Sequence, residues 1–220
     1  RNTIFYTLAG TAINVVITVL CAYPLSRRDM PMRGFFMFLF VFTMFFSGGL
    51  IPTYLLVNSL GMVNTVWSLL IPGAMSVYNM IITRTFFQNT VPKELLEAAQ
   101  IDGCSDARYF FNILLPLSQA VISVIALYYA VGHWNSYFNA LIYVRDARLQ
   151  PLQLTLRSIL LSTRVSLNEF EDPDLLAGKV GLEFLVKYAL IVVSSAPIMC
   201  LYPFVQKYFV KGVMIGAIKG

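Results

Sequence analysis

Long apolar runs separated by short polar stretches make up most of this chain. No charged residue occurs at 3–25, 34–83, 117–144 or 188–206. A helix needs about 20 predominantly apolar residues to cross the hydrocarbon core of a bilayer. The pattern therefore predicts an all-α membrane protein, with five membrane-spanning helices at about residues 3–25, 35–57, 65–85, 117–144 and 188–206.

The second and third predicted spans come from one uncharged stretch that is long enough for two crossings. We place the break at Asn58–Asn64, which is rich in turn-forming residues. Pro52 and Pro72 fall inside these two spans. Proline is tolerated in membrane helices because neighbouring groups can satisfy the freed carbonyls.

The polar segments between the spans predict how the chain crosses the membrane. Residues 26–33 form a short basic loop, and residues 91–116 form a second polar segment with basic residues. Short basic loops remain on the cytoplasmic side, so both loops and the lysine-containing tail at 207–220 are predicted to lie inside. The uncharged break and the long connection at 145–187 then lie outside, where residues 151–161 predict an amphipathic helix at the interface.

Composition supports a membrane class and limits the chemistry. Apolar residues make up 58% of the chain, charged residues only 12%, and the net charge is +5; soluble domains carry about 25% charged residues. Lysine and arginine are scattered at segment ends, which argues against nucleic acid as a partner. The three cysteines and the single histidine show no metal-ligand spacing, and no phosphate-binding GxxxxGK[ST] loop is present.

The polar segment at 91–116 predicts a helix, a turn and a second helix. Pro92 suits the first turn of a helix, and Asp102-Gly103 suits its end. Ser105 can cap the helix that follows. Because the first helix is too short to bury its own apolar face, we interpret the segment as a surface that a partner contacts.

Seven positions in this segment match a known pattern at its full spacing. Glu97-Ala98-Ala99, Gly103, Ile113 and Leu115-Pro116 fit the EAA loop of ABC-importer permeases. Asp102 and Phe110 also fit the version found in sugar importers. The chain resembles the maltose-type permeases of carbohydrate importers, including those that take up complex and uronate-containing oligosaccharides.

The resemblance implies a type I ABC-importer permease in the bacterial cytoplasmic membrane, with one further helix before residue 1. It implies a second homologous permease, two ATP-binding cassette subunits, an extracytoplasmic solute-binding protein and a sugar substrate as partners. ATP and magnesium would be bound by the ATPases, so this chain would need no cofactor, metal or catalytic residue of its own. The residues expected to couple it to the ATPase are Glu97, Ala98, Ala99, Asp102 and Gly103.

The end of the chain is a second candidate contact with the ATPase. Glycine recurs every four residues at Gly212, Gly216 and Gly220, and the segment resembles the tail of maltose-type permeases. The resemblance assigns the contact to Lys211, Gly212, Gly216 and Lys219. A disordered basic terminus is the alternative.

Polar and aromatic residues near the end of the fourth predicted span form a candidate substrate pathway, because polar groups inside a membrane must be paired or must face a cavity. Aromatic rings and amides also suit a sugar. The alternative is hydrogen bonding between helices, which is also the interpretation for His133. The candidates are Trp134, Asn135, Tyr137 and Asn139.

Two other functions are possible for an apolar helical chain. An intramembrane enzyme would need a nucleophile and base, or metal ligands, at membrane depth, and the single histidine argues against it. An ion-coupled carrier or channel subunit is the main alternative, although such proteins place ionisable residues within their spans. We predict ATP-driven import of a sugar, with an oligosaccharide favoured over a monosaccharide.

Overall fold

The computed structural model describes residues 1–167 and 184–200, and within them every regular element is helical. The helices are α1 (Asn2–Ser26), α2 (Arg33–Phe45), α3 (Leu50–Ser59), α4 (Trp67–Leu70), α5 (Val77–Asn89), α6 (Lys93–Ile101), α7 (Asp106–Tyr109), a π-helical turn (Phe110–Leu114), α8 (Leu115–Leu117), α9 (Gln119–Trp134), α10 (Phe138–Tyr143), a 3₁₀ turn (Ala147–Leu149), α11 (Leu152–Leu167) and α12 (Phe184–Cys200).

The first predicted span coincides with α1, an uninterrupted helix of 25 residues. Among the described residues it is the one single helix that is long and apolar enough to cross a membrane. Two bent pairs raise the number to three if each pair counts as one span: α2 with α3, and the segment Asp106–Leu117 with α9. The prediction of five spans thus rests on the sequence pattern.

The second predicted span, 35–57, is broken in the structure. Between α2 and α3 the chain turns by 111°. Gly49, immediately before α3, has a φ of +85°, a conformation that glycine adopts without steric strain. The prediction of one continuous span overlooked Gly48-Gly49, a dipeptide typical of turns.

The third and fourth predicted spans are also interrupted. In the third, α4 is separated from α5 by a turn that contains Pro72 and Gly73. In the fourth, α9 ends at Trp134 and α10 begins at Phe138. The last predicted span, 188–206, is described only to Cys200, where α12 ends.

Helix α1 packs mainly on α9 and α5. A single cluster of buried side chains extends from α1 into α5, α6, the π-helical turn and α9. Its members are Val19, Ala22, Leu25, Met80, Phe87, Val91, Ala99, Tyr109, Phe110, Leu114, Val121, Ile125 and Tyr129. The segment predicted to contact a partner is therefore packed into the same core as the membrane helices.

Helices α2 and α3 leave most of their apolar surface uncovered. No residue of α2 is buried, and α3 buries only Val57. Phe45 and Ile51 are 74% and 72% exposed. Exposing such a surface to water is energetically unfavourable, whereas contact with lipid tails or with another apolar helix is not.

Candidate coupling site

The segment at 91–116 folds as the predicted helix, turn and helix. Helix α6 ends at Ile101, and Gly103 follows with a φ of +71°. The Oγ of Ser105 accepts a hydrogen bond from the backbone N–H of Arg108 and so caps α7. Each of these features depends on residues adjacent in the chain, and for that reason the sequence could predict them.

The second half of the segment contains a distortion that the sequence analysis missed. After α7 the chain forms a π-helical turn, and the axis bends by 78° between Asp106–Leu117 and α9. Pro116 is the available sequence signal, because proline lacks an N–H group and its ring clashes with the preceding turn of a helix.

The two faces of α6 have different surroundings. The side chain of Ala99 is buried in the core cluster, at 7% exposure. Glu97 and Ala98 are exposed, as are Asp102 and Gly103 at the end of the helix. Of the residues predicted for coupling, four are exposed, whereas Ala99 is buried in the core.

A polar cleft of about 540 Å³ separates α6 from the ends of α1 and α5. Four arginines line it: Arg27 and Arg28 from the first basic loop, Arg33 at the start of α2, and Arg84 from α5. Glu97 and Gln100 line it from α6. The cleft brings together the basic residues that the sequence predicts on the cytoplasmic side.

Three of the side chains that line the cleft bind carbonyls at the end of α1, where the last carbonyls of a helix have no partner within it. Arg84 Nε donates to the Leu25 carbonyl at 2.9 Å, and Gln88 Nε2 donates to the Ser26 carbonyl at 3.1 Å. Arg33 donates to the Arg27 carbonyl at 3.3 Å. The end of α1 is thereby attached to α5 and to the start of α2.

Arg27 connects the same end of α1 to the segment at 91–116, which we call the coupling segment. Its guanidinium binds Asp29 through two nitrogens, at 2.9 and 2.6 Å, and also binds Asp106 in α7. The bond to Arg27 holds the pKa of the Asp29 carboxyl below its usual value and raises the pKa of Arg27. In the sequence, Arg27 indicates only the orientation of the chain, because nothing local relates it to Asp106, 79 residues away.

The histidine has a structural partner, as the sequence analysis expected. His133 Nε2 lies 2.8 Å from Asn14 Oδ1, and Asn14 Nδ2 donates to the Gly73 carbonyl at 2.6 Å. The hydroxyl of Tyr129 accepts a bond from the Ser76 N–H at 3.0 Å. Together these bonds satisfy two backbone groups of the irregular segment between α4 and α5, the Gly73 carbonyl and the Ser76 N–H.

The candidate pathway residues have different contacts. Trp134 Nε1 donates to the Ser194 carbonyl in α12 at 2.9 Å, and Asn135 Nδ2 donates to the Val131 carbonyl of its own helix at 3.0 Å. The Tyr137 ring lies under the Arg157 guanidinium at 5.1 Å. Asn139 is exposed. For Trp134, these contacts favour the interpretation as hydrogen bonding between helices.

The opposite end of α1 joins the segments that the sequence predicts to lie outside. Tyr6 donates to the Leu149 carbonyl at 2.8 Å, and Thr3 Oγ1 accepts from the Leu152 N–H at 2.7 Å. Asn64 Oδ1 accepts from the N–H groups of Arg145 and Asp146. The segments predicted to lie inside thus contact one end of α1, and those predicted to lie outside contact its other end.

Two other predictions concern the tail and metals. The candidate contacts Lys211, Gly212, Gly216 and Lys219 lie outside the described residues. Within residues 1–167 and 184–200, no group of three or more His, Cys, Asp or Glu side chains is placed to hold a metal ion.

Comparison with known proteins gives consistent results in sequence and structure. Residues 8–215 match the family described as "Binding-protein-dependent transport system inner membrane component". Protein LplC of Bacillus subtilis (strain 168) is 46% identical over 217 residues, which cover 99% of this chain and 72% of that protein. The polygalacturonan/rhamnogalacturonan transport system permease protein YtcP of the same organism is 44% identical, with 99% of this chain and 75% of that protein covered.

A solved structure extends the similarity to the fold. It is the crystal structure of a bacterial ABC transporter involved in the import of the acidic polysaccharide alginate. The two chains share 32% sequence identity and align with a TM-score of 0.81 over 94% of this chain and 73% of the other.

Proposed function

We propose that this chain, which belongs to the family of binding-protein-dependent transport system inner membrane components, is a permease subunit of an oligosaccharide importer. The importer works by alternating access driven by ATP. The chain serves as one of two homologous permease subunits in the bacterial cytoplasmic membrane. Two ATP-binding cassette subunits bind its cytoplasmic side, and a solute-binding protein delivers the sugar from outside. ATP and magnesium are bound by the ATPases.

The observation that carries the proposal is the division of α6 into two faces. Ala99 fixes the helix to the core that α1, α5 and α9 share, while Glu97, Ala98, Asp102 and Gly103 remain open to a partner. A helix attached on one face and exposed on the other can transfer a displacement from that partner to the bundle. Among the predicted coupling residues, we assign docking to the exposed four and core packing to Ala99.

Transport follows from linkage between the nucleotide and sugar sites. ATP binding brings the ATPases together, moves the two coupling segments toward each other and opens the pathway outward; hydrolysis reverses the movement. Since both ligands act on the same two conformations, each changes the apparent affinity for the other. The tail residues Lys211, Gly212, Gly216 and Lys219 are proposed to strengthen the contact with the ATPases.

The proposed substrate is an oligosaccharide that contains uronic acid units. Support comes from two similar proteins, a polygalacturonan/rhamnogalacturonan transport permease and an alginate importer. Tyr137, Asn135 and Asn139 remain candidates for the pathway, and the Arg157 guanidinium above Tyr137 places a cation beside that ring.

The test uses the complete transporter in proteoliposomes with ATP inside and labelled oligogalacturonate outside. We expect ATP-dependent uptake by the wild type, and loss of both uptake and ATPase copurification in Ala98→Arg. Ala147→Arg is the matched control, because Ala147 is also an exposed alanine but lies in the 3₁₀ turn that contacts the start of α1. Uptake without ATP, or equal loss in both variants, would contradict the proposal; uptake of neutral oligosaccharides alone would contradict only the substrate.

A further inference from the structure

We infer that two contacts, Arg27–Asp106 and Tyr23–Phe110, form a clamp through which the coupling segment moves α1 directly. The inference rests on the proposed function and adds a second mechanical connection to it. Without the clamp, a displacement of α6 and α7 would reach the bundle through the bent chain connection to α9 and through general core packing. With it, the same displacement acts on α1 at its end.

The clamp consists of two contacts between the end of α1 and the coupling segment. The residues that make them are four positions apart in each of the two elements. Tyr23 lies in the last turn of α1, and Arg27 follows the last residue of that helix, four residues after Tyr23. On the coupling segment, Asp106 and Phe110 have the same spacing. The Arg27 guanidinium binds the Asp106 carboxylate, and the rings of Tyr23 and Phe110 have centroids 4.9 Å apart.

The two contacts are also joined to each other. Arg27 donates to the Tyr23 hydroxyl at 3.0 Å, and its guanidinium lies 5.9 Å from the centre of the Tyr23 ring. Phe110 is buried at 5% exposure. Because the ring contact fixes the distance between the elements and the ion pair fixes their orientation, the pair of contacts restricts sliding and rotation together.

The surroundings of α1 explain why moving its end has consequences far away. Its end carbonyls are bound by Arg84 and Gln88, so α5 follows the same movement. At its other end, Tyr6 and Thr3 bind the residues 149–152. A shift applied at Arg27 is therefore transmitted along a continuous helix to the segments predicted to lie outside.

Arg27 provides its own control, because it has two carboxylate partners. Asp29 lies in the same short loop as Arg27, whereas Asp106 lies on the coupling segment 79 residues away in sequence. Removing either charge removes one ion pair from the same guanidinium. Only the loss of Asp106 breaks the connection between α1 and the segment that contacts the ATPase, so Arg27 and Asp106 are assigned as positioning residues.

The experiment compares Asp106→Asn, Asp29→Asn and Asp106→Glu in the complete transporter in proteoliposomes. Oligogalacturonate uptake, ATP hydrolysis and ATPase copurification are measured for each. We expect Asp106→Asn to lower the amount of sugar transported per ATP by about two- to fivefold, the range for a partly exposed ion pair. ATPase copurification of Asp106→Asn should stay at the wild-type level. The amount of sugar transported per ATP should be close to wild type in Asp29→Asn. In Asp106→Glu, which keeps the charge, this amount should be most of the wild-type value.

Three results would overturn the clamp: an unchanged ratio in Asp106→Asn, an equal loss in Asp29→Asn, or loss of ATPase binding in Asp106→Asn. The last result would make Asp106 a docking residue. Failure of the proposed function is distinguishable, because it appears in the wild type as uptake that does not require ATP.

Discussion

The imidazole of His133 lies directly against Gly10, in the space that a side chain at residue 10 would fill. The contact joins α9 to α1 near the point where Asn14 binds His133. Glycine is required at residue 10 by the approach of the ring, since its position in a continuous helix would otherwise favour alanine.

Gly10→Ala is expected to destabilise the bundle by about 1–3 kcal/mol, the usual cost of overpacking a core. The measurement is the thermal unfolding midpoint of the purified transporter in detergent. Gly132→Ala is the matched control, because it lies next to His133 and a Cβ there would have no atom within 4 Å. Equal midpoints for the two variants would contradict the packing described for residue 10.

Asn14→Leu is expected to destabilise the transporter by about 1–3 kcal/mol, because it leaves the Gly73 carbonyl and His133 without their partner in a buried site. Asn14 is only 1% exposed, so solvent water cannot reach the site and replace the lost bonds. The midpoint of thermal unfolding should fall, whereas Asn139→Leu, at an exposed position, should leave it unchanged. A midpoint for Asn14→Leu within error of wild type would show that Asn14 does not stabilise the turn.

Gly103→Glu is expected to abolish ATPase copurification while the permease stays folded. A Cβ at Gly103 would meet no atom within 4 Å, so the new charge projects toward the partner rather than into the core. The positive φ adds about 1 kcal/mol of strain for most residues, and Asn tolerates this conformation better. Gly103→Asn, the control for the backbone, should retain most ATPase binding. Normal uptake by Gly103→Glu would refute the prediction.

Trp134→Phe tests whether Trp134 stabilises the bundle or contacts the sugar. The change keeps a ring but removes the bond to Ser194, so we expect a loss of stability of about 1 kcal/mol and a KM for uptake within about twofold of wild type. Trp67→Phe, which alters a tryptophan with 52% exposure, controls for loss of the indole. A severalfold higher KM with unchanged stability would instead place Trp134 in the pathway.

Several features were predictable from the sequence because they depend on neighbouring residues. Apolar runs indicated a helical membrane protein, and α1 covers the first predicted span. Gly103 and Ser105 predicted the end of α6 and the start of α7, which the structure shows. The spacing of Glu97, Gly103 and Pro116 predicted the family, to which residues 8–215 belong.

Tertiary structure alone decided which residues meet. The chain bends by 111° before α3 and is interrupted between α4 and α5. Gly48-Gly49 and Pro72-Gly73 mark these two sites in the sequence, but only the structure shows the direction that the chain takes after each. Ala99 could have faced a partner or the core, and only the packing of α6 determined that it faces the core.

The sequence by itself determined the class of protein, the family and the helix-turn-helix of the coupling segment, since short-range propensities and spacing encode them. Only the tertiary structure brought Arg27 to Asp106, 79 residues apart, and Asn14 to His133, 119 residues apart. Such pairs depend on how α1 packs between α5 and α9. That packing is decided by the combined shape and burial of three helices, and no local stretch of sequence contains it.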